Sequence, residues 1–212
     1  MSPAVKAAAA MLLALPLAAG AQTINLAGRA QGAPAGMAIP GLSVAGAEEP
    51  TALELNPAGV GFTGDLTLQY FHQGRRGTSE AADGFWLAAP LGPLVPALSM
   101  QWVRPEAGGG SRFRKTTLGL AVAGNQVASF AVAWNWYASP QSDLDHLSSF
   151  DAGLTVRPWR HLSLGAAVLG VDARLAGQRL PVRFELGAAT RLLSDALTLS
   201  ADLLSDDQGH ND

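Results

Sequence analysis

Few residues in this chain are of a type that does metal, nucleophilic or acid–base chemistry, and their spacing is the first thing to weigh. The four histidines, His72, His146, His161 and His210, are scattered over segments that read as loops and turns. No two stand at helical or zinc-ribbon spacing, so they read as solvated histidines rather than metal ligands. The acidic end, with Asp202, Asp206, Asp207 and Asp212, lacks the glycine and glutamate of a calcium loop and reads as a solvated tail. There is no Gly-X-Ser-X-Gly elbow, no Gly-Lys-Ser/Thr of a phosphate loop, and no cysteine for a disulfide or thiolate. Beyond Lys6 the only lysine is Lys115, in "SRFRKTT", which reads as a loop entering a strand. No catalytic constellation, cofactor site or metal set is expected.

The remaining charges have a different use. Arg157, Arg183, Glu185, Arg191 and Asp202 fall in one phase of neighbouring alternating segments. They are expected to point into a confined interior, where opposite charges pair across strands and fill space. A charged constriction is the functional alternative.

The elements that hold these charges read as strands. The chain has 212 residues, 48% hydrophobic and only 15% charged, enough for one sizeable domain but poor in charge for a soluble one. Its net charge of -3 offers no basic footprint for nucleic acid. Lys6, the apolar run 7–19 and the small residues Ala19-Gly20-Ala21 read as a secretory signal peptide over 1–21. Residues 22–64 are rich in Gly, Ala and Pro and read as an irregular segment; residues 65–212 alternate with period two. Phe130, Val132, Trp134 and Trp136 alternate with Ala131, Ala133 and Asn135; Phe184, Leu186 and Ala188 alternate with Arg183, Glu185 and Gly187. Gly119, Gly153, Gly165 and Gly187 are all in the small, polar phase. Counted this way there are about nine strands.

The connections alternate in length. Those at 74–83, 105–114, 139–147 and 172–181 are long and polar, whereas those at 90–94, 124–125, 158–161 and 193–195 are short. Long loops at one end and short turns at the other are how a transmembrane barrel is built. A soluble sandwich would give the same alternation. Against it, Trp86, Trp102, Trp134, Trp136, Tyr137 and Trp159 lie toward strand ends, as an interfacial aromatic girdle requires. The expected fold is all-β: an antiparallel up-and-down transmembrane β-barrel in the outer membrane of a Gram-negative bacterium, with outer-membrane lipid as its partner. Arg75, Arg76, Arg112 and Arg114 would then sit in long loops, within reach of lipopolysaccharide phosphates.

The stretch "PTALELNPAGVGF", with its Asn56-Pro57-Ala58-Gly59 turn, resembles the N-terminal signature of the long-chain fatty-acid transporter (FadL) superfamily and its PorV-like relatives. "GLTVRPWRHLSLGAAVLGV" and "LPVRFELGAATRLLSDALTLSADLLSDD" are similar to late hairpins of that superfamily. The resemblance implies a structural role for Asn56, Pro57, Ala58 and Gly59, a hatch within the lumen over 22–64, and passage or binding of hydrophobic small molecules such as fatty acids. It implies no ligand-contacting residue. An odd strand count and the polar tail "SDDQGHND" depart from a closed bacterial barrel and point to an incomplete one, with a missing C-terminal domain or partner chain. The chain also resembles the barrel-like segment that precedes the protease domain in some long bacterial signal peptide peptidases, which implies a non-catalytic membrane anchor or scaffold.

Overall fold

In the computed structural model the described residues are 33, 36, 37, 39, 42–74, 81–105, 111–140, 144–192 and 197–207. The signal peptide expected over 1–21 lies outside them, as do Arg75, Arg76, His210 and Asp212.

Among the described residues, alternation of β-branched, aromatic and small residues produces eleven strands. Nine form one antiparallel sheet: β1 (Thr67–Gly74), β2 (Ala81–Ala88), β3 (Leu94–Arg104), β4 (Phe113–Gly124), β5 (Ala128–Ala138), β6 (Ser148–Trp159), β7 (Leu162–Val171), β10 (Arg183–Leu192) and β11 (Leu197–Asp206). Each pairs with its neighbour in chain order, once the small ribbon β8 (Arg174–Leu175) and β9 (Gln178–Arg179) is set aside. The short connection between β4 and β5 turns through Asn125 and Gln126, both at positive φ, the primed geometry that matches strand twist.

The all-β, up-and-down order of nine strands is as expected from sequence, and the odd count that pointed to an incomplete barrel is met by an open sheet. Among the described residues β1 pairs only with β2 and β11 only with β10, so the sheet is not closed into a barrel. The reason is parity. In an antiparallel sheet of nine strands the first and last run the same way, and joining them needs a parallel pair. One strand start also shifts. β4 begins at Phe113, so Arg114 and Lys115, expected in or just after a loop, are strand residues, Arg114 pointing out and Lys115 in.

Two short 3-10 helices, Pro50–Glu54 and Pro57–Phe62, lie before the sheet in sequence and against its inner face in space. The first touches β1, β2 and β3, the second β3 to β6, while Val44 reaches Asp202 on β11. Eight gaps at strand spacing would make a flat sheet roughly 38 Å wide. One compact segment meets strands at both ends of this one, so the sheet curls around it. Their shared core, with Met37, Leu53, Val60, Trp86 and Val95, is otherwise lined by alanines of β2 to β5. A smaller cluster of Phe113, Tyr137, Leu147 and Ala173 closes the long-loop end.

Among the described residues no helix is long and apolar enough to cross a membrane. The strands β3 to β7 are 11, 12, 11, 12 and 10 residues long, the length a tilted strand needs to cross a hydrocarbon core.

Candidate functional site: the plugged interior

The Asn-Pro-Ala-Gly turn is where the segment is fastened. Asn56 is fully buried, and its side chain is satisfied on both ends. The Oδ1 accepts from the Ala58 amide at 3.1 Å, capping the second 3-10 helix, which Pro57 opens. The Nδ2 donates to the Val44 carbonyl at 2.8 Å, to the Leu154 carbonyl at 3.2 Å and to Thr155 Oγ1 at 3.0 Å. One side chain thus ties the turn to its own upstream loop and to β6. Aspartate would keep the cap but bring no donor for the other three contacts.

The inner-face glycines explain themselves against this segment. A Cβ on Gly153 would overlap Asn56 Oδ1, and one on Gly119 would overlap the Leu53 side chain. Gly165 and Gly187 are directly paired across β7 and β10, and a Cβ on Gly165 would run into the backbone of Val44 and Ala45. The missing side chains form a notch in which a main chain lies against the sheet.

Charge fastens the segment at two further points. Glu54, at the end of the first 3-10 helix, accepts from Lys115 Nζ at 2.8 Å, Gln101 Nε2 at 2.6 Å and Trp86 Nε1 at 3.2 Å. Both members of the Glu54–Lys115 pair are 7% exposed at the side chain. Towards the short-turn end Glu48 is shared by Arg157 and Arg191, and the Arg157 guanidinium lies over the Phe62 ring, 3.5 Å from its centroid. Asp202 accepts from the Val44 amide at 3.2 Å. Beside the Glu54 group a second network crosses the sheet: Thr117 donates to Asn135, which donates to Asp151, which accepts from the Gly170 amide.

Three of the five inward charges, Arg157, Arg191 and Asp202, are used to hold the N-terminal segment and not to bridge strands. Arg183 lines a polar cleft with Lys115, Tyr137 and Asp151, and Glu185 is buried in the middle of the sheet between Ala167 and Leu204. That cleft and another at the short-turn end have cavity volumes of about 10 Å³, room for roughly one water each.

Periodicity missed the acids of the segment, Glu48 and Glu54, because they lie outside the alternating region. Proximity to strand ends also misplaced two aromatics. Trp86 and Tyr137 point inward, at 0% and 4% exposure, and do not belong to an outer girdle. The signal was available: each follows another aromatic, Phe85 or Trp136, and adjacent strand residues face opposite sides. The outward aromatics include Tyr70, Phe85 and Trp102, in a ladder with centroids 4.8 and 6.1 Å apart, and Trp134 and Phe150 at 6.4 Å. Just beyond the ladder, towards the long loops, the outer face turns polar, with His72 and Arg104 on Asp83 and with Arg114 exposed.

His146 sits exposed in a turn beside Asp145, and His161 is exposed in the turn between β6 and β7. Among the described residues no three His, Cys, Asp or Glu side chains are grouped to hold a metal. Comparison with family models, with curated proteins and with solved structures gives no match.

Proposed function

We propose that this chain is an outer-membrane β-sheet protein that faces lipid with its outer surface and carries its own N-terminal segment as an internal plug. The observation that carries this reading is the outer face itself. Leu68, Phe85, Leu98, Leu120, Val132, Leu154, Leu164 and Leu186 are in outward phase on eight successive strands, and all but Leu98 are large apolar side chains more than two fifths exposed. A soluble surface rarely exposes so continuous an apolar patch. The aromatic ladder and the polar row above it are the order expected where hydrocarbon gives way to headgroups.

Within this reading, the role that the fatty-acid-transporter resemblance supplies is passage or binding of hydrophobic small molecules, and the plug would have to move for anything larger than water to pass. The filled interior favours a second role, a non-catalytic membrane anchor or scaffold within a larger assembly, which needs no lumen. Either role leaves β1 and β11 as edges that lipid cannot satisfy, and an odd number of further strands would close the barrel with antiparallel pairs throughout.

The test is expression of the chain in a Gram-negative host, followed by membrane fractionation and gel mobility in detergent with and without boiling. Recovery in the outer membrane with heat-shifted mobility is the expected result. A soluble periplasmic product would overturn the proposal.

A further inference from the structure

At the short-turn end, the turn between β6 and β7 and the end of β10 bring Arg157, Arg160, His161 and Arg191 around one cleft, with Ser163 in its wall. Among the described residues the acid that meets this group is Glu48, shared by Arg157 and Arg191. Three described guanidinium groups thus stand against one described carboxylate. A solvated rim would account for that much.

The second observation lies inside the cleft. Ser163 is 5% exposed, and its hydroxyl makes no hydrogen bond among the described residues; neither does the Nε–H of Arg157. Buried donors are nearly always partnered, and these two belong to residues lining the same cleft. Arg157 is held in place by Phe62 beneath it. The donors come from β6, the following turn, β7 and β10, and so approach from several directions. A planar carboxylate is matched by a single guanidinium fork, whereas convergent donors suit a tetrahedral anion with three or more acceptor oxygens.

We propose that this cleft binds a phosphate-type oxyanion, held by Arg160 and Arg191 at the rim and by the Ser163 hydroxyl and Arg157 Nε–H from within. The side chains of Arg160 and His161 are exposed and free to turn outward to admit an anion larger than the water the cleft now fits. Two sources share this chemistry: free phosphate, and the phosphoester headgroup of a lipid, for which Trp159, 70% exposed beside Arg160, is suitably placed. The inference does not depend on the membrane reading.

The experiment is titration of the full chain in detergent with inorganic phosphate, followed by phosphorus NMR. Saturable binding is expected, weakened about tenfold or more in Arg160→Gln, which loses a charge-assisted bond. It should also weaken in Ser163→Ala and stay unchanged in Arg174→Gln, an exposed arginine on the β8–β9 ribbon. Arg160 lies in an exposed turn and Ser163→Ala removes one hydroxyl, so both variants should retain the wild-type circular dichroism. Absence of saturable binding, or equal losses in all three variants, would overturn the proposal. A short-chain phosphatidylglycerol added in competition separates the sources: displacement of phosphate assigns the site to a headgroup, and no displacement assigns it to free phosphate.

Discussion

Glu54→Ala is expected to destabilise the folded chain by about 3–5 kcal/mol, the cost of leaving one member of a buried ion pair without its partner. Lys115 would keep its charge in a site where its side chain is 7% exposed and would lose the carboxylate 2.8 Å away. Gln101 and Trp86 would lose the same acceptor. The deficit should be read in denaturant unfolding of the detergent-solubilised protein. A second variant separates the ion pair from the packing around it. Glu54→Leu combined with Lys115→Met removes both charges and should recover most of the loss, because an apolar pair of similar volume is often neutral or better. If Glu54→Ala alone left the unfolding midpoint unchanged, Glu54 would not be fastening the segment to β4.

Gly165→Val should unseat the segment while leaving the sheet formed. The new side chain would occupy the space of the Val44 carbonyl and the Ala45 Cα, which are main chain and cannot rotate away. Overpacking of this kind costs about 1–3 kcal/mol where side chains can adjust, and backbone adjusts less. The asymmetry makes it diagnostic: Asp202 and Asn56 would lose their Val44 contacts, whereas the ladder of β7 with β6 and β10 would remain. Limited proteolysis should therefore cut within residues 42–63 of the variant and not of the parent. Gly64→Ala, where an added Cβ meets nothing within 4 Å, is the matched control and should behave as the parent does. Equal protease resistance in Gly165→Val would mean that the notch does not seat the segment.

Much of the sheet was legible because its information is local. Period two told which side of each strand Leu118, Val132 or Phe184 faces, and the glycines at 119, 153, 165 and 187 were visibly in the opposite phase. What those glycines receive was not legible. Gly165 meets Val44, and Lys115 meets Glu54 across 61 residues, and nothing in a single sequence links positions so far apart. The same gap explains the inward arginines. Phase placed Arg157 and Arg191 inside, and pairing them with Glu185 or Asp202 was the natural guess while residues 22–64 had no assigned position. Their acid turned out to be Glu48, in a stretch whose composition signals only irregularity. Trp86 and Tyr137 went astray because proximity to a strand end was weighed above phase. Closure was open for a different reason, since it depends on the edges β1 and β11 and not on any property of the strands between them.

The proposed function requires the apolar outer face to contact lipid. The chain has no cysteine, so single cysteines can be spin-labelled without background along β5, at each position from Phe130 to Trp136, in native membranes. Collision with oxygen, which concentrates in hydrocarbon, is compared with collision with a water-soluble nickel chelate. With that face in lipid, oxygen accessibility is high and nickel accessibility low at 130, 132 and 134, alternating with low values for both at 131 and 133, where the plug packs. High nickel accessibility at the outward positions would place that face in water. Low values for both reagents there would place it against a second protein layer, and either result would contradict the claim.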